Sequence, residues 1–373
     1  MKPSCIRYAA AGVKGLIPYE PGKPLSELER EYGIRDAVKL ASNENPWGPS
    51  PRALEAAHAC LGDIARYPDG NGFALKAAVA RKHGVAPQCV TLGNGSNDVL
   101  ELAARVFLGP RREAVLSEHA FAVYSIATQA VGARPRVAPA NLPGHAMPYG
   151  HDLDAMAALV NARTRLVFIA NPNNPTGTWL SARQLDAFLR ALPARVVAVV
   201  DEAYCEYVAQ PDYPDTSTWM QRYPNLIVTR TFSKVHGLAG LRVGYGISHP
   251  SVADLMNRVR QPFNLNAVAQ AASLAALEDA GHVQHSVRMN HEGMRQITGA
   301  LTAMDVDYLP SVTNFLCVRV GRDAAGVYQA LLREGVIVRP VANYGLPEYL
   351  RVTVGQPREN ERFLGALKKT LGR

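Results

Sequence analysis

The middle of the chain alternates short apolar runs with stretches that have helical periodicity. Four apolar runs have the length of buried strands: 89–92, 166–170, 196–200 and 226–229. One helical pattern covers residues 99–107, and another begins after Ser181, where Gln184 completes a capping-box pattern. Strands that alternate with helices at this spacing predict an α/β domain with a mostly parallel sheet and helices on both faces.

The pattern changes after about residue 250, where longer helical stretches come first and strands follow. Helices are predicted at 251–260, 267–279, 283–304 and 360–371, and strands at 315–320, 336–339 and 350–354. This order indicates a smaller α+β domain. The first forty residues are rich in proline and glycine and are interpreted as an arm. We therefore predict an N-terminal arm (1–40), a large domain (41–282) and a small C-terminal domain (283–373).

Composition narrows the class of protein. The chain has 373 residues, which suits two domains, and a formal net charge of +8. The cations are scattered and no nucleic-acid-binding motif accompanies them, so small anionic molecules are expected as partners and nucleic acid is not. No apolar run approaches the roughly 18 residues of a membrane span, and none has the form of a signal peptide.

The five cysteines are isolated along the chain, and no Cys-x-x-Cys pair occurs. They are best explained as reduced thiols, and the expected location is the cytoplasm. His282 and His285 are spaced like neighbours on a helix, but no third ligand accompanies them, so no metal site is predicted.

Polar clusters follow the predicted strands. Since open parallel sheets bind ligands beyond the carboxyl ends of their strands, these clusters are candidates for one site. The four clusters are Gly95-Ser96-Asn97, the Asn- and Pro-rich segment 171–177, the segment 201–204, and the segment 231–242.

The first two clusters each allow a plain structural interpretation as well as a functional one. Gly95 at the start of a helix would let backbone N–H groups bind a phosphate, but the same residues also suit a tight turn capped by Ser96 or Asn97. Segment 171–177 concentrates side-chain amides at a strand end, although it also has the composition of a turn.

The other two clusters carry charges. Asp201 follows five apolar residues, where an unpaired carboxylate is costly, so it either caps the next segment or meets a cation such as a pyridinium nitrogen. Tyr204 could reach the same ring. Lys234 lies beside hydroxyl groups and eight positions before Arg242; the alternative is an ordinary solvated lysine.

Taken together, in this order and after these strands, the clusters resemble those of fold-type-I pyridoxal-phosphate enzymes, specifically the class I and II aminotransferases. The resemblance extends over nearly the whole chain. More narrowly, the chain resembles the histidinol-phosphate aminotransferase family in five segments: PYEPGKP (18–24), SNENPWG (42–48), RYPD (66–69), GNGSND (93–98) and YGLPEYLRVTVG (344–355).

The resemblance implies a role for each matching residue around pyridoxal phosphate. Lys234 would bind the cofactor covalently, Asp201 would hold the pyridine nitrogen protonated, and Tyr124 would stack on the ring. Asn174 and Tyr204 would bind the phenolic oxygen, and the Asn174–Pro175 bond is expected to be cis.

The same resemblance implies how the anionic groups are held. The phosphate would be bound by Gly95, Ser96, Asn97, Thr231, Ser233 and Arg242, with Tyr67 contributed by the neighbouring subunit. Arg351, supported by Arg339 and Tyr19, would bind the acidic group of the substrate. The expected assembly is a homodimer with shared active sites, in which the arm near Tyr19 also reaches the partner.

The implied reaction converts L-histidinol phosphate and 2-oxoglutarate to imidazole-acetol phosphate and L-glutamate, a step of histidine biosynthesis. Two alternatives are an aromatic amino acid aminotransferase, which shares the cofactor residues, and a threonine-phosphate decarboxylase, which uses the same fold and cofactor but releases carbon dioxide. Asn343 stands where the family pattern predicts glycine, which keeps the substrate preference open. A transcription regulator is not expected, because it would need a DNA-binding module before the first cofactor motif and the arm is too short for one. A nicotinamide-dependent dehydrogenase is disfavoured, because no Gly-x-Gly-x-x-Gly turn follows the first strand of a βαβ unit.

Overall fold

The computed structural model describes residues 4–373, so the first three residues of the predicted arm lie outside the described part. The strands of the described part are β1 (Val38–Lys39), β2 (Val90–Gly93), β3 (Glu113–Ser117), β4 (Arg134–Ala138), β5 (Thr164–Ala170), β6 (Val197–Asp201), β7 (Leu226–Thr231), β8 (Gly244–Ser248), β9 (Phe315–Arg319), β10 (Val336–Ile337), β11 (Arg339–Pro340) and β12 (Tyr349–Thr353). The α-helices are α1 (Ala11–Lys14), α2 (Leu25–Tyr32), α3 (Pro51–Cys60), α4 (Phe73–His83), α5 (Ser96–Phe107), α6 (Ala122–Ala130), α7 (Leu153–Ala158), α8 (Ala182–Ala191), α9 (Pro250–Val259), α10 (Ala267–Glu278), α11 (Ala280–Ala303), α12 (Ala324–Arg333) and α13 (Pro357–Leu371).

Seven strands form the central sheet in the order β2-β8-β7-β6-β5-β3-β4. Strands β3 to β7 run parallel, and β8 is antiparallel to both of its neighbours. Helix α5 packs in the hydrophobic core on one face of the sheet and α8 in the core on the other. The predicted mostly parallel sheet with helices on both faces is therefore confirmed.

The four predicted apolar runs correspond to β2, β5, β6 and β7, with ends that differ by at most two residues. Helix α8 begins with the predicted capping box between Ser181 and Gln184. Strands β3, β4 and β8 were not predicted. Strand β4 is a partly exposed edge that carries Arg and Pro, and β8 contains Gly244 and Gly246, so neither has the apolar run of a buried strand.

The C-terminal part contains a three-stranded antiparallel sheet in the order β11-β12-β9, and α11, α12 and α13 share a hydrophobic core with it. The predicted strand at 336–339 is wrong as a single element. Residues Val336–Ile337 pair in parallel with β1, whereas Arg339–Pro340 pair with β12. The chain changes partner between them because β1 comes from the end of the arm. The predicted boundary after residue 282 falls inside the first turn of α11.

The arm is more structured than its composition indicated. Leu28 of α2 is fully buried against Leu332 and Ile337, so the second half of the arm packs on the C-terminal part. None of the helices in residues 4–373 is both long and apolar enough to cross a membrane.

Candidate active site

A cavity of about 240 Å³ lies at the carboxyl ends of the central parallel strands. Thirteen of the residues singled out from the sequence line it: Tyr19, Ser96, Asn97, Tyr124, Asn174, Asp201, Tyr204, Thr231, Ser233, Lys234, Arg242, Arg339 and Arg351. They come from the arm, the central sheet and the C-terminal sheet. Ala170 and Asp201, the last residues of β5 and β6, also line the cavity, so it opens where a parallel sheet is expected to bind its ligand.

The N-terminus of α5 forms one end of the cavity. Gly95 precedes the helix with a φ of 80°, and a Cβ atom there would meet Nη2 of Arg242 at 2.5 Å. The positive φ requires glycine here, whereas the guanidinium group lies at the end of a flexible side chain and could shift. Arg242 Nη1 also donates to Ser233 Oγ at 3.3 Å. N–H groups, hydroxyls and a guanidinium at a helix start have the chemistry to bind a phosphate.

Asp201 lines the cavity and is buried. Its Oδ2 accepts a hydrogen bond from the Tyr124 hydroxyl at 2.8 Å, and its Oδ1 accepts one from Thr229 Oγ1 at 2.9 Å. Burial raises the pKa of Asp201, while these two hydrogen bonds act against the rise. Among the described residues no cationic side chain forms an ion pair with it. A bound cation would remove the cost of this buried carboxylate.

Lys234 follows β7, and its Nζ donates to the Ser42 carbonyl oxygen at 3.1 Å. Burial, followed by the charges of Arg351 and Arg242, lowers the pKa of Lys234 to about 7. A lysine with this pKa is partly unprotonated at neutral pH, so it can act as a nucleophile or as a base.

The segment 171–177 follows β5, and its residues Pro172 and Asn174 line the cavity. Its Asn174–Pro175 bond is cis, as predicted, and Asn171–Pro172 is cis as well. Asn174 Oδ1 accepts a hydrogen bond from Arg351 Nη1 at 2.5 Å, which leaves the amide nitrogen of Asn174 for another acceptor. Tyr204 lines the same wall. Burial raises the pKa of Tyr204 to about 12, so its hydroxyl stays protonated at neutral pH.

Two arginines from the C-terminal sheet complete the cavity. Arg339 and Arg351 are directly opposite each other in the register of β11 and β12. Like charges at such a position repel each other, and among the described residues neither arginine forms an ion pair. Arg351 donates from Nη2 to the Ala41 carbonyl at 2.9 Å, but its buried Nε has no partner there.

The cavity is therefore cationic. Lys234, Arg242, Arg339 and Arg351 line it, whereas Asp201 is the one carboxylate among its lining residues. This excess of positive charge suits a ligand that carries more than one anionic group.

Some predicted residues lie elsewhere. Tyr67 is 82% exposed and stacks on Phe263, with a ring-centroid distance of 4.6 Å, so it does not reach the cavity of its own chain. Tyr19 does line the cavity of its own chain, which differs from the expectation that the arm near it completes a partner's site. Asn343 is exposed and does not line the cavity, but it lines a neighbouring depression that shares Gly22 and Arg339 with it.

Further residues that line the cavity or contact Asp201 were not predicted from the sequence. Thr229 was not connected with Asp201, although it lies two positions before Thr231 and therefore on the same face of β7. Ser42 and Asn43 line the cavity but received no role. Asn43 has a φ of 55°, a conformation that asparagine adopts more readily than most residues. Its place in the polar motif 42–48 was the feature of the sequence that could have identified it as a candidate.

The chain is similar to known proteins over nearly its whole length. The sequence profile of the aminotransferase class I and II family matches residues 35–367. Histidinol-phosphate aminotransferase 1 of Nitrosococcus oceani is 57% identical over 366 residues, which cover 97% of this chain and 96% of the relative. Histidinol-phosphate aminotransferase 2 of Pseudomonas fluorescens is 58% identical over 367 residues, 98% of both chains. The crystal structure of the Sinorhizobium meliloti histidinol-phosphate aminotransferase with pyridoxal 5'-phosphate superposes with a TM-score of 0.88 at 29% identity and covers 97% of each chain.

Proposed function

Since this chain belongs to the class I and II aminotransferase family, we propose that it is a pyridoxal-phosphate-dependent enzyme that transfers an amino group between L-glutamate and imidazole-acetol phosphate. The products are 2-oxoglutarate and L-histidinol phosphate, and the reaction is reversible. The observation that carries this proposal is the facing pair Arg339 and Arg351, without a carboxylate partner among the described residues, in the same cavity as Lys234.

The residues of the cavity fit pyridoxal phosphate by their chemistry. The start of α5 would hold the phosphate with Ser96, Asn97, Thr231, Ser233 and Arg242. Asp201 would pair with the pyridine nitrogen, which supplies the cation that this buried carboxylate lacks. Asn174 and Tyr204 would donate to the ring oxygen, and Tyr124 would lie on the ring face while it orients Asp201. When bound, the cofactor delocalises the electron pair left at the substrate Cα.

The chain's own groups bind the substrate and move its proton. With the cofactor bound, the Lys234 amine would take the proton from the substrate Cα and deliver it to the cofactor carbon that keeps the nitrogen. Asp201 would keep a negative charge next to the ring nitrogen. Arg351 offers a planar fork to a carboxylate or a phosphate, and Arg339 and Tyr19 lie beside it.

Two anions must be accepted by one site. Glutamate presents a side-chain carboxylate, whereas histidinol phosphate presents a phosphate and has no α-carboxylate. A pair of arginines without a resident carboxylate can bind either group. Asn343 is exposed and does not line the cavity itself, although it lies beside Arg339, so the substrate comparison below decides between the two aminotransferases.

The direct test is a substrate comparison with the purified holoenzyme. Histidinol phosphate, phenylalanine and tyrosine are each supplied with 2-oxoglutarate, and glutamate formation is measured. We expect the highest kcat/KM with histidinol phosphate. Efficient turnover of phenylalanine or tyrosine, with hardly any of histidinol phosphate, would replace the proposal with an aromatic aminotransferase. Release of carbon dioxide from threonine phosphate would indicate the decarboxylase.

The covalent link is tested separately. We expect borohydride reduction of the holoenzyme, followed by peptide mapping, to find the cofactor on Lys234. A label on another lysine, or no chromophore after reconstitution, would refute this assignment.

We also propose a homodimer in which Tyr67 of a second copy reaches the phosphate end of the cavity. Tyr67 and Phe263 form an exposed aromatic pair, and Phe73 and Ile64 near Tyr67 in sequence are exposed as well. The test mixes Lys234→Ala and Tyr67→Ala subunits after mild dissociation. In a shared-site dimer one site of each mixed dimer has both native residues, so activity reappears. No recovery in verified mixed dimers would contradict the sharing of Tyr67.

The proposed location is the cytoplasm, where thiols stay reduced. The five cysteines are all free in the described residues, and two of them, Cys89 and Cys317, are buried.

A further inference from the structure

Asn43 lies at the wall of the cavity in an unusual backbone conformation. It is 1% exposed and has a φ of 55° in the left-handed region. Asn314 Nδ2 donates to its carbonyl oxygen at 3.0 Å, and its own backbone N–H donates to Thr353 Oγ1 at 2.9 Å. The residue is therefore held from both sides, by two residues of the C-terminal part.

The hydrogen bonds determine which way the side-chain amide of Asn43 points. The Thr353 hydroxyl accepts the Asn43 N–H and donates its own proton to Asn43 Oδ1 at 3.2 Å. Since Oδ1 is used by Thr353, Nδ2 points the other way and donates to the Tyr204 hydroxyl oxygen at 3.0 Å.

This arrangement has a consequence for Tyr204. Its hydroxyl oxygen accepts a proton from Asn43, and this is the one hydrogen bond that the oxygen makes among the described residues. The phenol's own proton is therefore available to an acceptor in the cavity that Tyr204 lines. When a phenol oxygen accepts a hydrogen bond on one side, its own proton is directed to the other side.

We propose that Asn43 is a positioning residue, which makes Tyr204 a hydrogen-bond donor toward the ring oxygen of the cofactor. The inference rests on the proposed function, because it assigns a direction to a contact with pyridoxal phosphate. The competing interpretation is that Asn43 only connects the segment that follows the arm to β12 through Thr353.

The test reverses the direction of the hydrogen bond between residue 43 and the Tyr204 hydroxyl. Asn43→Asp has nearly the same shape and tolerates the left-handed backbone, but its carboxylate accepts the Tyr204 proton and turns it away from the cavity. The readout is the pH midpoint of the absorbance change of the bound cofactor. A donor to the ring oxygen stabilises its negative charge and so favours the deprotonated form. Loss of that donor should raise the midpoint by about 1–2 pH units, the shift expected for one hydrogen bond to a charged group.

A double-mutant cycle with Tyr204→Phe separates positioning from a general effect of charge. Tyr204→Phe alone should raise the midpoint by a similar amount. In the Tyr204→Phe background, Asn43→Asp should add less than about 0.5 pH units, because no phenol remains to be turned. The inference would be overturned if the shift of the double variant equalled the sum of the two single shifts. It would also be overturned if Asn43→Asp left the midpoint unchanged.

Asn43→Gly covers the case in which the aspartate variant does not fold. Glycine adopts the same φ without strain and removes the amide. A smaller rise of the midpoint is expected, and it should disappear in the Tyr204→Phe background; a rise that persists there would overturn the inference. The proposed function fails independently of this result, namely if the wild-type protein neither binds pyridoxal phosphate nor transfers amino groups.

Discussion

Two neighbouring carboxylates at the end of β6 lie on opposite sides of the sheet and have different surroundings. Asp201 faces the cavity and accepts hydrogen bonds from the neutral hydroxyls of Tyr124 and Thr229. Glu202, which is fully buried, faces away from it and accepts from Arg230 Nε and Nη2 at 3.0 and 2.7 Å.

The same alternation continues on the next strand. Thr229 and Thr231 of β7 lie on the side of Asp201, and Arg230 between them lies on the side of Glu202, where it also reaches Asp215 at 2.8 Å. A buried carboxylate with a resident cation is a structural element. A buried carboxylate without one is expected to bind a cationic ligand.

The sharpest test on the cavity side is Asp201→Asn. Asparagine can still accept from Tyr124 or Thr229, but it cannot keep the ring nitrogen charged. We expect kcat to fall by about 10²–10³-fold, the range for loss of one electrostatic contact at a transition state. The free energy of unfolding of the apoenzyme should not decrease, because the buried charge is removed. Steady-state kinetics and urea unfolding measure both; an unchanged kcat would contradict the role of Asp201.

The matching change on the other side is Glu202→Gln, and the opposite pattern is expected. Arg230 would stay buried with only the partly exposed Asp215 as a charge partner. We expect the free energy of unfolding to fall by about 3 kcal/mol, at the lower end of the range for a broken buried ion pair. The kcat of the folded, cofactor-loaded fraction should change little. If Glu202→Gln reduced kcat as strongly as Asp201→Asn, the distinction between the two carboxylates would be wrong.

A third change tests whether the cavity binds the acidic group of both substrates through one arginine. Arg351→Ala should lower kcat/KM by about 10–150-fold for both glutamate and histidinol phosphate, which corresponds to about 1.5–3 kcal/mol. The absorbance of the bound cofactor should not change. Arg319→Ala is the matched control, since Arg319 lies on β9 of the same small sheet but is exposed and paired with Glu348. A loss confined to one substrate would contradict a shared anion site.

The smallest expected effect is a shift in pH dependence. The pKa of Lys234 in the folded chain, about 7, is below its ordinary value of 10.5, so the amine loses its proton between these values only in the folded state. Uptake of pyridoxal phosphate by the apoenzyme needs the free amine and should increase with pH, with a midpoint near 7. Removing the Arg351 charge should move the midpoint upward.

The same pKa difference has a consequence for stability. Below pH 7 Lys234 is charged in both the folded and the unfolded state, and burying the charge destabilises the folded state. Between pH 7 and 10.5 the folded state loses this proton first, so the free energy of unfolding of the apoenzyme rises with pH.

Stopped-flow absorbance with the apoenzyme measures the uptake of pyridoxal phosphate at each pH, with Arg319→Ala again as the control. A midpoint near 10 in the wild type would contradict the lowered pKa.

The sequence alone determined the elements and polar clusters that depend on local patterns. Apolar runs identified β2, β5, β6 and β7, because a strand buried on both faces needs continuous apolar residues. Residues such as Asp201 and Lys234 could be selected because they follow such strands, and parallel strands bring their carboxyl ends to one edge. Family resemblance then assigned each of them a role.

Only the tertiary structure decided how distant segments meet. The register that sets Arg339 opposite Arg351, and the burial that separates Asp201 from Glu202, depend on partners far apart in sequence. Asn43 is connected with Tyr204 through contacts across 161 positions, and with Thr353 across 310. Local periodicity carries no information about such pairs, because side chains that are far apart along the chain become neighbours only when the arm, the central sheet and the C-terminal sheet pack together.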